Sequence, residues 1–135
     1  MVMDLVYLSS PYRGDTETNE ANARKYCKQI AKQVAIPIAP HFIFTQFLDD
    51  NNEQERNLGI QMGLELLKYC DEMWVVSNTL TEGMKLEIKQ AQEIVLKIRF
   101  FNQEMEEIKY EAVEIDDRLS EELKSAIRNI RSNCY

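Results

Sequence analysis

The sequence has few of the residues that metal sites and disulfides require. It contains one histidine, His41, and three widely separated cysteines, Cys27, Cys70 and Cys134, with no C-x-x-C pair. A structural zinc site needs four such ligands, and an odd number of scattered cysteines does not form a disulfide framework. We therefore expect reduced thiols and no zinc.

Positive charge and long apolar stretches are also scarce. The chain has 16 Lys and Arg against 23 Asp and Glu, a formal net charge of −7, and no apolar run approaches the length that spans a membrane. An acidic surface repels nucleic acid and anionic membranes. The first residues include an acid, Asp4, where a signal peptide needs basic charge. These features predict a cytoplasmic protein that binds a small molecule, with neither nucleic acid nor a membrane as partner.

Two nucleotide-binding signatures are absent. Neither G-x-x-x-x-G-K-S/T nor G-x-G-x-x-G occurs, so a P-loop and a dinucleotide fold are not indicated. ATP and NAD are therefore not expected as cofactors, and we predict that the protein uses none. The segment Ser9–Gly14 still offers hydroxyls, the Arg13 guanidinium and backbone N–H groups to a polar ligand; the alternative is an ordinary turn.

Strand and helix patterns alternate along the chain. With 135 residues, 44% of them hydrophobic, the chain is long enough for one domain with a real core. Short apolar runs predict strands, at Leu5–Leu8, Ala35–Ala39, Met73–Val76 and Leu96–Phe100. Helical periodicity predicts helices between them, over residues 19–34, 53–69 and 81–94. This alternation is typical of a parallel sheet with helices on both faces.

We therefore predict an α/β, flavodoxin-like three-layer fold with a mostly parallel sheet of four or five strands. Pro37 lacks an N–H for the ladder, which favours an edge position for the second strand. In this topology the first and third strands flank the switch point, so the loops that follow them line one crevice.

Several other elements follow from local patterns. The aromatic-rich segment Pro40–Asp50 is predicted to be an irregular or short-helical loop that carries binding. The helix after it is expected to turn Leu58, Met62, Leu66 and Tyr69 inward. Beyond the fourth strand we predict a short helix, a strand and a helix, at 103–108, 110–115 and 120–131.

The segment Thr81–Glu87 carries the strongest chemical signal. Gly83 and Glu87 are one helical turn apart at the carboxyl end of a predicted buried strand, so the missing side chain of Gly83 leaves room for a ligand above the Glu87 carboxylate. A carboxylate there could attack an anomeric carbon, because a nearby anion stabilises an oxocarbenium-like transition state. A solvent-facing helix glutamate is the alternative, and the spacing alone favours it about two to one.

Two further side chains have both a functional and a structural interpretation. Tyr7, at the end of the first strand, could hold Glu87 or a sugar hydroxyl, although strand tyrosines commonly belong to the core. His41 could transfer a proton, although a packed, hydrogen-bonded histidine is the commoner case.

Five segments occur here in an order that resembles the nucleoside 2-deoxyribosyltransferase-like superfamily, in particular its small bacterial and phage members. They are Val6–Tyr12, Pro37–His41, Phe47–Asp50, Cys70–Val75 and Glu82–Glu87. The resemblance covers about the first three quarters of the chain. It implies a single domain of this kind over residues 1–135, with a divergent C-terminal part from about residue 102.

The resemblance also implies an activity, which is cleavage of the N-glycosidic bond of a nucleoside or nucleotide through a glutamate nucleophile. By motif position Glu87 matches the nucleophile, Tyr7 the tyrosine that orients it, and Asp71 an aspartate near the sugar. A homo-oligomer is implied as well. We expect the substrate to contact residues around these three, namely Ser9, Pro11, Arg13, His41, Gly83 and Met84.

One departure from the family pattern leaves more than one function open. Thr81 stands where characterised transferases carry the aspartate that handles the proton on the departing base, and threonine has no useful acidity near neutral pH. Glu82 and His41 are the available substitutes. The chain is then either a transferase or hydrolase acting on a nucleoside or nucleotide, or a nucleotide-binding sensor without turnover. A hydrolase of another N-glycoside, such as a nicotinamide nucleotide, is a third reading.

Overall fold

The computed structural model describes residues 2–109, and the predicted strand at 110–115 and helix at 120–131 lie outside them. The strands are β1 (Leu5–Ser9), β2 (Ile36–Ile38), β3 (Glu72–Val76), β4 (Lys97–Phe101) and β5 (Glu107–Ile108). The helices are α1 (Thr16–Lys32), α2 (Glu53–Leu67) and α3 (Glu82–Glu93). Two short 3₁₀ turns, Pro40–Phe42 and Phe44–Gln46, occupy the loop before α2.

The sheet has the strand order β2-β1-β3-β4-β5, which confirms the predicted flavodoxin-like fold. The first four strands are parallel, and β5 runs antiparallel to β4. Pro37 lies on the outer strand β2, opposite Val6 of β1. Its missing N–H therefore costs no hydrogen bond inside the sheet.

Helices cover both faces of the sheet. On one face, Ala23, Tyr26 and Ile30 of α1 pack in a cluster with Val6 and Leu8 of β1. On the other face, a second cluster joins α2 and α3 to the sheet, through Tyr7, Leu67, Met73, Met84 and Ile88. Successive residues of β1 thus serve opposite faces, as the pleat of a strand requires.

The predicted inner face of α2 is wrong at two of its four residues, while Met62 and Leu66 are half-buried. Leu58 and Tyr69 are 50% and 69% exposed, whereas Gly63 and Leu67 are the buried positions of this helix. The prediction used the positions of apolar side chains, so it could not identify Gly63, which has no side chain, as a buried position. A glycine at this position lets the helix backbone approach its neighbours closely.

The helix predicted at 103–108 is also wrong. The chain turns at residues 103–104 and then forms β5. The Asn102 side chain causes this, because its Oδ1 accepts hydrogen bonds from the backbone N–H groups of Glu104 and Glu106. Such a side chain offers the backbone an alternative to helical hydrogen bonds. Met105 adopts a left-handed φ of 64° in the same turn.

None of the helices within residues 2–109 combines the length and the apolar character needed to cross a lipid bilayer.

Candidate active site

The Glu87 carboxylate is held by two hydroxyl groups of β1. Tyr7 Oη donates to Glu87 Oε2 at 2.6 Å, and Ser9 Oγ donates to Glu87 Oε1 at 2.8 Å. Tyr7 and Ser9 point the same way because they are two residues apart on one strand. Both oxygens of one carboxylate are therefore fixed by adjacent side chains of a rigid element.

The start of α3 aims Glu87 at β1. Thr81 precedes the helix, and its Oγ1 accepts a hydrogen bond from the backbone N–H of Met84 at 3.3 Å. This is an N-cap, which fixes where the helix begins. Glu87 lies in the second turn, on the side that faces Tyr7 and Ser9.

The surroundings of Glu87 keep its proton unusually tightly bound. Burial raises the pKa of the carboxyl from 4.5 to about 7, although the hydrogen bonds from Tyr7 and Ser9 lower it. Both the ionised and the protonated forms therefore exist at neutral pH. Burial, followed by the negative charge of Glu87, raises the pKa of Tyr7 well above its ordinary value, so the phenol remains a donor.

A cavity of about 300 Å³ lies beside Glu87. It opens beyond the carboxyl ends of the parallel strands, beside β1 at the point where the strand order reverses, which is where open α/β sheets bind ligands. Four segments line it, the β1–α1 loop, the 3₁₀ segment, α2 and the start of α3. Their contributions include Ser10, Tyr12, Arg13, Pro40, His41, Phe44, Gly59, Gly63, Thr81, Gly83 and Met84.

The two glycines nearest to the site leave different kinds of space. A Cβ atom at Gly83 would meet no other atom within 4 Å, so the wall above Glu87 is open as the helical spacing predicts. A Cβ atom at Gly63 would lie 3.1 Å from the Tyr7 hydroxyl, which is tighter than an ordinary contact. Gly63 thus gives room to a side chain of the protein, and Gly83 gives room to the cavity.

His41 lines the cavity as a neutral ring. Burial lowers its pKa from 6.5 to about 4, so the imidazole carries no charge at physiological pH. The ring lies against that of Tyr12, with 5.1 Å between centroids. Nδ1 is buried and makes no hydrogen bond with any part of the chain that the structure describes. A neutral His41 is no proton donor of useful strength at pH 7.

Two arginines meet one carboxylate among the lining residues. Arg13 Nε lies 3.2 Å from one oxygen of Asp50, and Arg56 Nε lies 4.0 Å from the other. More than half of the Arg13 side chain is exposed, so its ion pair contributes little to stability. The pairs nevertheless join the loop after β1 to the loop and helix α2 on the other side of the cavity.

Comparison with known proteins places the chain in a family. Residues 4–101 match the family described as Domain of unknown function (DUF7768). The chain belongs to this family. No curated protein matches it.

A solved structure has a similar fold. The 2-deoxyribosyltransferase from the psychrotolerant bacterium Bacillus psychrosaccharolyticus matches with a TM-score of 0.62 and 10% identity, over 94% of this chain and 90% of that one. At this identity the likeness shows a related fold and nothing finer.

Asp71 lies away from the cavity of this DUF7768 chain, contrary to the predicted position near the sugar. It precedes β3, and its carboxylate accepts a hydrogen bond from the Leu5 N–H at the start of β1, at 2.7 Å. A residue before a parallel strand lies at the amino end of the sheet, one strand length, about 15 Å, from the carboxyl end. A ligand at Glu87 is therefore out of its reach.

The other predicted site residues divide into two groups. Arg13, His41, Gly83 and Met84 line the cavity, and their contact with a substrate stays a prediction. Two do not. Ser9 is fully buried and holds Glu87 instead, and Pro11 lines a separate cavity of about 20 Å³.

Sequence reasoning missed Gly59 and Gly63, which form part of the cavity wall on α2. A signal was present. The chain has only 4 glycines, and two of them occur four residues apart within one helical pattern. Glycine inside a helix is unfavourable, so such a pair indicates close approach by another group.

Proposed function

We propose that this protein cleaves the N-glycosidic bond of a nucleoside or nucleotide, with Glu87 as the nucleophile. The observation that supports this most is a half-buried carboxylate that borders the cavity while two hydroxyls hold its oxygens. A carboxylate so placed is suited to attack on an anomeric carbon, whose transition state carries positive charge.

The reaction takes place in two displacements. Glu87 attacks C1′ of the sugar, a bond forms between C1′ and a carboxylate oxygen, and the base leaves with the electrons of the C1′–N bond. Water or a second base then attacks C1′, and Glu87 departs as a carboxylate. Water gives hydrolysis, and a second base gives transfer with the starting configuration retained.

Tyr7 and Ser9 act on Glu87 and not on the substrate. Their hydrogen bonds limit rotation of the carboxylate, so little orientation has to be lost when C1′ approaches. They also favour the ionised form, which is the reactive one. Burial works against ionisation and keeps the attacking group poorly hydrated. The balance between the two leaves a nucleophile that is ionised from about neutral pH upward.

The fold supports the same class of substrate. The related solved structure belongs to a 2-deoxyribosyltransferase, an enzyme described as a biocatalyst for nucleoside synthesis. The proposal extends that class of ligand to this chain, as one domain over residues 1–135. We further propose that the protein is a cytoplasmic homo-oligomer and that the reaction needs no cofactor.

The three groups considered above for protonating the departing base are poorly placed for it. The Thr81 hydroxyl caps α3, Glu82 pairs with Lys85 at 3.0 Å, and His41 is neutral. Besides Glu87, the other carboxylates that line the cavity are Asp50, which pairs with Arg13, and Glu55, which accepts the Asp49 backbone N–H. This arrangement suits an N-glycoside whose base leaves without being protonated, such as a nicotinamide nucleotide with its cationic ring. It equally suits a second candidate function, a nucleotide-binding sensor without turnover.

Product analysis distinguishes these functions. Purified protein is incubated with deoxyribonucleosides, ribonucleosides, their monophosphates and a nicotinamide nucleotide, with and without a free acceptor base, and products are separated by HPLC. We expect free base or a new nucleoside from wild type and none from Glu87→Gln. Glu93→Gln, an exposed acid on the same helix, is the matched control.

Binding measurements complete the test. The sensor function predicts ligand binding by wild type and Glu87→Gln with no product from either. Product formed equally by both proteins would show that Glu87 is not the nucleophile.

A further inference from the structure

The Tyr7 hydroxyl lies between helices α2 and α3. It donates to Glu87 of α3 at 2.6 Å, and the backbone of Gly63 in α2 lies close to it. A Cβ atom at position 63 would lie 3.1 Å from the Tyr7 oxygen and 3.9 Å from Pro40. An oxygen and a methyl carbon this close repel each other, so one of them would have to move.

Tyr7 has little freedom to move. Its side chain is 1% exposed and packs in the core cluster that includes Leu67, Met73 and Met84. The hydroxyl is at the end of a rigid ring, so it shifts only if the ring tilts or if α2 withdraws. Cores packed at this density resist both. If the Tyr7 hydroxyl moved by a few tenths of an ångström, its hydrogen bond to Glu87 would become longer or bent.

We infer that Gly63 is a positioning residue for the active site, because its missing side chain keeps the Tyr7 hydroxyl in place against Glu87. The inference rests on the proposed function only in its consequence for catalysis. Gly59, one turn earlier on the same helix, differs, since a Cβ atom there would meet Leu48 at an ordinary 3.5 Å.

The titration of Glu87 reports this positioning. A hydrogen bond from Tyr7 favours the carboxylate, so a longer or bent bond raises the pKa. Other charged groups line the cavity as well, and the substitutions leave them unchanged. Glu82 pairs with Lys85, Asp50 lies near Arg13 and Arg56, and Glu55 accepts a hydrogen bond from the Asp49 backbone N–H. His41 is neutral over the relevant range.

The experiment measures the pKa of Glu87 by NMR of ¹³C-labelled glutamate carboxyls. The proteins are wild type, Gly63→Ala, Gly59→Ala, Tyr7→Phe and the double variant Tyr7→Phe/Gly63→Ala. Loss of a hydrogen bond to a charged group corresponds to about one pH unit or more, which we expect for Tyr7→Phe. Gly63→Ala should raise the pKa by about half as much, and Gly59→Ala should leave it unchanged.

The double variant decides the cause. Phenylalanine lacks the oxygen that a Cβ atom at position 63 would touch, so Gly63→Ala should have no further effect in that background. An equal effect with and without the Tyr7 oxygen would mean that Gly63 serves helix packing alone, and the inference would be wrong. An unchanged pKa in the single variant would also overturn it.

Folding and turnover give separate outcomes. If Gly63→Ala does not fold, the double variant should fold, because the crowded oxygen is gone; failure of both would overturn the inference. If the pKa pattern is as expected but wild type makes no product, the proposed function fails while the positioning role stands. If wild type is active, kcat/KM of Gly63→Ala should reach its midpoint at higher pH.

Discussion

The two ends of the sheet each place one carboxylate against β1, with different results. At the amino end, Asp71 accepts the Leu5 backbone N–H at 2.7 Å in an exposed position. At the carboxyl end, Glu87 accepts the Tyr7 hydroxyl at 2.6 Å and borders the cavity. The hydrogen-bond lengths are almost equal, but Glu87 is buried, and burial raises the pKa of its carboxyl to about 7.

The comparison separates a carboxylate that ties two strands together from the one that the proposed function uses as its nucleophile. A backbone donor and solvent satisfy the Asp71 carboxylate. Glu87 has side-chain donors, little solvent and free space beside it. Space and desolvation, more than residue type or hydrogen-bond length, are the reasons for proposing Glu87 and not Asp71 as the nucleophile.

The largest expected difference between the two ends is in turnover. Glu87→Gln should lower kcat by about 10³-fold or more, because the amide is not a nucleophile. Asp71→Asn should leave kcat within about 2-fold and lower the free energy of unfolding by about 0.5 kcal/mol, the value of a weakened exposed hydrogen bond. Steady-state kinetics on the best substrate and urea unfolding measure both. A large loss of kcat in Asp71→Asn would contradict the purely structural role assigned to Asp71.

The pH profile sharpens the comparison. Glu87 must be ionised to attack, and its pKa is about 7, so kcat/KM should rise through that pH. Between pH 8 and pH 5 the ionised fraction, and with it kcat/KM, falls by about 100-fold. Asp71→Asn should keep the same profile. A flat profile between these pH values would show that Glu87 is not the group that titrates in the reaction.

Substitution of Glu87 should change the free energy of unfolding in the opposite direction to substitution of Asp71. The folded-state pKa of Glu87, about 7, is above its ordinary 4.5, so the folded protein binds this proton more tightly and loses stability as pH rises through that window. Glutamine cannot ionise. Glu87→Gln should therefore raise the free energy of unfolding by about 2 kcal/mol at pH 8, after allowance for partial exposure, and by little at pH 5. Urea denaturation at both pH values is the measurement, and equal effects at both would contradict the burial of this charge.

A smaller effect on stability than that of Glu87→Gln is expected at the amino end, where Val95 follows α3 with a left-handed φ of 56°. Val95 is 81% exposed, so its side chain contributes little burial. Asparagine tolerates this conformation better than a β-branched residue, and Val95→Asn should raise the free energy of unfolding by about 1 kcal/mol. Thermal unfolding tests this, and kcat should not change because the site is at the other end.

The sequence predicts the sheet well because its strands are short apolar runs separated by long periodic helices. The same order predicts that Tyr7 and Glu87 meet, since the ends of the first and third strands flank the switch point. The predicted position of Asp71 was wrong because a motif match does not say at which end of the sheet a residue lies. A residue that precedes a parallel strand lies at the amino end. The position of Asp71 could therefore have been predicted from the sequence.

The inner face of α2 and the strand β5 were harder to predict. Gly63 matters through the atoms it lacks, and its partner, Tyr7, is distant in sequence. β5 depends on one side chain, Asn102, that satisfies the turn before it. Both outcomes depend on local geometry that hydrophobic periodicity does not encode.

The edge strand β2 limits which contacts between molecules the sheet can make. It is three residues long and carries Pro37 at its centre, and within residues 2–109 it pairs with β1 alone. A strand from another molecule would find few free N–H donors along it, so the sheet resists growth into a continuous intermolecular ladder. Contacts between molecules at this side of the protein would therefore use helical or loop surfaces, and edge-to-edge aggregation through β2 is disfavoured.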